Sequence, residues 1–99
     1  MKAIILLTRR GGDAPEDFRR WWLEEHAQLA RRLPGLRKLV FNLVHADAPY
    51  DDVSELWFDS QEAFDAAYAS EIGQQVAADS LAHVGGRVRL VVDEHSQLD

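Results

Sequence analysis

The sequence predicts a single α+β domain, residues 1–99, in which four strands form one antiparallel sheet and two helical segments cover one of its faces. Three observations predict it. Apolar runs of strand length alternate with two helical patterns in the order β-α-β-β-α-β. Each helical pattern opens on an Asp-x-x-Glu signature and closes on a Pro-Gly or Gly-Gly pair. A chain of 99 residues has the material for one core, burying about 60–65% of its unfolded surface. This order is that of the ferredoxin-like split unit.

The elements follow in sequence. KAIILLT, residues 2–8, is apolar on both faces and too short for a helix, which makes it a strand. Gly11-Gly12 turns the chain into a helix over residues 13–33, with Asp13 as cap, Pro15 in the first turn and Glu16 completing a capping box. At a step of about 100° per residue, Phe18, Trp22, His26, Leu29 and Leu33 share one stripe. His26 therefore stands at the edge of the apolar face. Pro34-Gly35 ends the helix. LRKLVFNLVH, residues 36–45, is a second strand with Leu39, Phe41 and Leu43 on one face, and ADAPYDD, residues 46–52, is a polar turn. VSELWF, residues 53–58, sets Leu56 and Phe58 against Val53, Glu55 and Trp57. Asp59 to Glu62 caps a second helix, which Ser70 and Gly73 break or bend before residues 74–83 resume it. Gly85-Gly86 ends that helix, Arg87 to Asp93 forms the fourth strand, and EHSQLD is expected to be a mobile tail.

Composition narrows the function classes. The net charge of −6 argues against nucleic acid as a partner. Residues 1–40 hold nine basic and five acidic side chains, and residues 41–99 hold two basic and twelve acidic. The basic residues come in pairs mixed with acids, which describes solvated faces. No cysteine is present, so there is no disulfide framework and no thiolate chemistry; this suits a reducing cytoplasm, the expected location. The apolar run at the start is too short for a signal segment or a membrane span.

Helices on one face leave the other face of the sheet uncovered. The first strand is apolar on both sides, and Trp57, Val91 and Val40 or Phe41 enlarge that surface. A second copy packed sheet against sheet is the simplest cover, so a homodimer is expected. The alternative is that Lys38, Glu55, Arg87 and Arg89 keep the face wet.

Three blocks carry a family resemblance. Phe18, Trp22, His26, Leu29 and Pro34-Gly35 follow the F-x-x-x-W-x-x-x-H-x-x-L…P-G pattern. Tyr50-Asp51-Asp52-Val53, Glu55-Leu56-Trp57-Phe58-Asp59-Ser60 and Glu62-Ala63-Phe64 form the second block, and Asp79 the third. In these the chain resembles the EthD family, named for ethyl tert-butyl ether degradation, over nearly its whole length. The resemblance implies a dimeric α/β barrel with a ligand cleft between sheet and helices. It also implies a place beside catabolic oxygenase systems. Related proteins act as decarboxylases, dehydratases, isomerases or cofactor-free monooxygenases. Leu39 stands where many members carry a tyrosine, and His83 where an aromatic is usual.

His26 is the first candidate for chemistry. An imidazole reaches both protonation states near neutral pH, so His26 in an apolar cleft suits a general acid or base, with Asp79 or Glu25 as partner. It equally suits a core histidine bonded to a backbone carbonyl. Asp79 and His83 share a helix face, and with His26 they would make the ligand set of a non-haem iron site. An ordinary Asp–His helical pair accounts for the same spacing, and neither metal nor cofactor is expected. Trp22 and Trp57 are candidates to line a cleft for a small hydrophobic ligand, with Trp21 the least buried of the three tryptophans. Arg9 aligns with a family arginine and could steer an anionic substrate. Two functions follow: a cofactor-independent acid/base enzyme acting on a hydrophobic or aromatic catabolic intermediate, or a non-catalytic substrate-binding or accessory protein of a catabolic oxygenase system.

Overall fold

The first strand, β1 (Lys2–Arg9), takes a central place in the sheet because both of its faces are apolar. The computed structural model describes residues 1–45 and 47–98; Ala46 of the expected turn and Asp99 of the expected tail lie outside the described residues. After β1 comes one continuous helical run: α1 (Pro15–Arg20), a π-helical segment (Trp21–His26) and α2 (Ala27–Ala30). Then follow β2 (Lys38–Leu43), β3 (Asp52–Trp57), α3 (Gln61–Ala69), α4 (Glu71–His83) and β4 (Val84–Val92). The strands lie in the order β2-β3-β1-β4, every neighbouring pair antiparallel. The fold is the ferredoxin-like α+β arrangement read from the sequence. No helix among the described residues is long and apolar enough to cross a membrane.

Strand alternation decides what the helices cover. Ala3, Ile5 and Leu7 of β1, with Leu56 and Phe58, are buried against Phe18, Trp22, Phe64 and Val76 of the helices. Residues opposite one another in the ladder share a face, so register assigns the rest. Ala3 pairs with Val91, Ile5 with Arg89 and Leu7 with Arg87. Val91, Arg87 and Arg89 therefore sit on the helix side, and so does Phe41, opposite buried Ser54. The expected placements of these residues on the open face are corrected accordingly. Arg89 is held there by the rings of Tyr68 and Phe64, 4.9 and 5.1 Å from its guanidinium carbon. The open face instead carries Ile4, Leu6, Val40, Trp57, Val88 and Leu90.

Several local expectations shift for identifiable reasons. Ala14, not Asp13, is the N-cap of α1, and Pro15 fills the first position, which has no intrahelical amide bond to make. Asp13 pairs with Arg10 at 3.1 Å instead. Ser60 caps α3 by accepting from the Ala63 amide at 3.1 Å, while Asp59 pairs with Arg37. Asp52 belongs to β3 and not to the preceding turn. The break in the second helical segment falls at Ser70, whose extended backbone ends α3 and whose hydroxyl caps α4 through the Gly73 amide at 3.0 Å. A side chain at Gly73 would strike the Ala67 carbonyl 2.0 Å away, so this tight corner requires glycine. Gly85-Gly86 is not a turn: α4 runs directly into β4. A Cβ on Gly85 would lie 2.9 Å from the Arg9 carbonyl, where the β1–β4 register shifts.

Candidate active site around His26

The π-helical segment sets the site. Its wider winding is marked by the Ala27 amide donating to the Trp22 carbonyl, five residues back. A regular helix, stepping about 100° per residue, would put Ala27 opposite Phe18. Here Ala27 and Ala30 are buried and Leu29 only half so, because the π turn rotates the later residues relative to the earlier ones. Trp21, three residues from Phe18 and about 60° from it on the helix, is buried along with Trp22, against its expected place as the least buried tryptophan.

His26 is only 3% exposed and lies flat on Trp22, ring centroids 4.1 Å apart and planes 7° from parallel. Its Nδ1–H donates to Asp79 Oδ2 at 2.8 Å. That bond leaves Nε2 as an acceptor, and the Ser80 hydroxyl approaches it at 3.5 Å. Glu25 is exposed and takes no part. Burial pushes the His26 pKa below its ordinary value; Asp79 opposes that fall, while Arg87 and His83 add to it. The side chain is a neutral imidazole at pH 7, oriented by a carboxylate that itself reaches solvent.

Asp79 joins two histidines. The His83 Nδ1–H donates to the Asp79 backbone carbonyl at 2.8 Å, and its ring stacks on Trp21 at 4.3 Å. Among the described residues no group of three or more His, Cys, Asp or Glu side chains is placed to hold a metal ion.

The structure thus gathers four of the six residues singled out in the sequence: His26, Asp79, Trp22 and His83. It does not gather the other two. Trp57 lies on the opposite face of the sheet, with the ammonium groups of Lys2 and Lys38 at 4.8 and 4.7 Å from its ring. Arg9 pairs with Asp51 and donates from Nε to the Asp13 carbonyl at 3.0 Å.

Sequence reasoning missed a buried carboxyl. Asp52 is fully buried on the helix side of β3, and burial raises its pKa to about 7. The Ser54 hydroxyl, which donates to Oδ2, and the Trp22 indole N–H both oppose that rise. Asp52 Oδ1 and Trp22 Nε1 are buried without a hydrogen-bond partner of normal geometry. The alternation of Asp52, Ser54 and Leu56 was the available signal, since all three occupy inward strand positions.

His26 lines neither of the two cavities beside its stack with Trp22. A groove of about 500 Å³ runs between the helical run and β2, over Leu23, Ala27, Leu36, Leu39 and Phe41. Its Phe41 ring stacks on Trp22 at 4.7 Å and stands 6.4 Å from the His26 ring. A smaller hollow of about 130 Å³ opens beside Trp21 and His83.

Known structures share this fold. An EthD family protein from Bacillus halodurans C-125 superposes with a TM-score of 0.84 at 21% identity, covering 96% of this chain and 99% of that one. A dimeric ferredoxin-like protein of unknown function from Thermobifida fusca gives 0.71 at 18%, covering 90% and 85%. SnoaB, a cofactor-independent oxygenase from Streptomyces nogalater, gives 0.66 at 19%, covering 98% and 96%. At these identities the likeness establishes the fold. No curated protein matches the chain by sequence. The EthD domain model matches residues 11–84, three blocks of which include the helix of His26 and the helix of Asp79, and the chain belongs to the EthD family.

Proposed function

We propose that the chain is a homodimeric small-molecule cleft protein whose His26–Asp79 pair performs cofactor-independent acid/base chemistry on a hydrophobic or aromatic molecule. One observation carries this reading. His26 is tied to a side-chain carboxylate and not to a backbone carbonyl, so its second nitrogen is held as a base in an apolar setting. In such a step Nε2 takes a proton from carbon or oxygen beside a carbonyl or phenol. Asp79 then faces the imidazolium through the hydrogen bond it already makes. Returning the proton to another atom gives isomerisation; returning it to a departing hydroxyl gives dehydration, and returning it to the carbon that carbon dioxide has left gives decarboxylation. Oxygenation of a deprotonated phenol starts from the same removal, with dioxygen as oxidant and oxygen source. Trp22 and Phe41 supply flat apolar walls beside the ring.

The homodimer is supported by the open face, where Val88 and Leu90 are 39% and 44% exposed in a single chain. The Thermobifida fusca relative is described as dimeric. Sheet-to-sheet pairing would cover this surface and leave the helix side, with its groove, facing outward.

One observation favours a second reading, a binding or accessory protein without chemistry. The 3% exposure of His26 and its place behind Phe41 leave the groove separated from the imidazole. The test is a screen of hydrophobic carbonyl and phenolic compounds for turnover and for deuterium uptake from solvent. His26→Gln should lower any rate by about 10²–10⁴-fold with folding and assembly intact. Ligand binding that survives His26→Gln, with no product from the unaltered protein, supports the binding role instead.

A further inference from the structure

The groove beside β2 has a charge that the rest of the molecule does not share. Its apolar floor is bordered by Arg31, Arg37 and Lys38, and no acidic residue lines it. This occurs in a chain with 17 acidic and 11 basic side chains and a net charge of −6. A volume of about 500 Å³ lies inside the range of small-molecule sites. The three cations are not equivalent. Arg37 is engaged by Asp59 through two hydrogen bonds, at 3.1 and 2.7 Å. The Lys38 ammonium rests over the Trp57 ring at 4.7 Å. The Arg31 guanidinium has no hydrogen-bond or ion-pair partner among the described residues.

We infer that this groove binds a small apolar molecule bearing one carboxylate, with the carboxylate on Arg31 and the apolar body on Leu36, Leu39 and Phe41. The guanidinium presents two parallel donors that match a carboxylate in shape. One guanidinium free of a carboxylate suits a monoanion. The ligand's far end then meets Phe41, the ring that separates the groove from the Trp22–His26 stack. The inference rests on the small-molecule reading above but not on His26 acting as a base.

The experiment compares naphthalene-2-carboxylate with naphthalene-2-carboxamide, two probes of one shape and different charge, by calorimetry and amide chemical shifts on the full chain. The carboxylate should bind about tenfold more tightly than the amide at low salt, with shift changes along residues 23–31 and 36–41. Arg31 is exposed, so Arg31→Gln should fold normally, bind the amide as before and lose the preference. Equal affinity for the two probes, a preference that survives Arg31→Gln, or shift changes confined to Trp57 and β4 would each overturn the inference. His26→Gln should leave the preference within about threefold. An inactive protein that keeps the preference refutes only the acid/base reading.

Discussion

The two faces of the sheet solve opposite problems. The helix-covered face holds every buried polar side chain of the core among the described residues: His26, Asp52, Ser54 and Ser80. The open face carries a band of Ile4, Leu6, Val40, Trp57, Val88 and Leu90, with its charges paired at the margin by Lys2 and Glu55 at 2.8 Å. Polar groups can be kept inside the covered face because neighbours within the chain satisfy most of them. The open face has no such internal cover, and the proposed second copy would supply it. The buried carboxyl and imidazole thus lie on one face and the proposed interface on the other.

Substitutions can break that division. Trp22→Ala should cause the largest loss, about 3–5 kcal/mol by urea unfolding, because it removes the ring beneath His26 and beside Phe18 and Phe41. Trp57→Ala, on the other face, should cost the isolated fold far less and act mainly on assembly.

Next in size is the pH dependence set by Asp52. Its folded pKa is raised to about 7 from 3.8, so between those values the folded chain keeps a proton that the unfolded chain has released. Stability should fall as pH rises through that window, by an amount on the order of 4 kcal/mol, and then level off. Asp52→Asn should flatten this slope in denaturation curves taken from pH 4 to 8. His26 works in the other direction. Its pKa is lowered, so its contribution is present above the ordinary histidine value and is lost as pH falls through the folded value. His26→Gln should remove that acid-side loss and leave the Asp52 slope in place.

A double change, Val88→Glu with Leu90→Glu, should raise the dimer dissociation constant at least about a hundredfold while each chain stays folded, as read by sedimentation. Stable dimers in that variant would assign the interface elsewhere. The smallest effect concerns a helix start. Ser60→Ala should cost about 1 kcal/mol, whereas Asp59→Ala, which removes an exposed ion pair with Arg37, should cost less.

Much of this architecture could be read from residue order. Alternation along VSELWF grouped Leu56 with Phe58 and Trp57 with Glu55, as the structure does, because a two-residue period leaves no choice once one face is apolar. The partner of His26 stood open between Asp79 and Glu25, and the 2.8 Å bond is to Asp79, 53 residues away. The misses have physical causes. Ala27 is buried by a π turn, which no fixed helical period anticipates, and Trp21 by its ordinary three-residue spacing from Phe18. Asp52 stood in an acidic run beside Asp51, and composition alone made both look solvated; one pairs with Arg9 and the other is fully buried. The facing of β4 was misread because its arginines lie inward, Arg89 against the rings of Phe64 and Tyr68.

The π turn also holds one residue more than an ordinary helix would need between Trp22 and Ala27. Removing one residue from the exposed stretch Leu23 to Glu25 would make those two fourth neighbours and let the segment close as an ordinary helix. The side chains on either side, His26 among them, would keep their angular places. A loss of three nucleotides from the coding sequence would thus spare both the scaffold and the bond between imidazole and carboxylate.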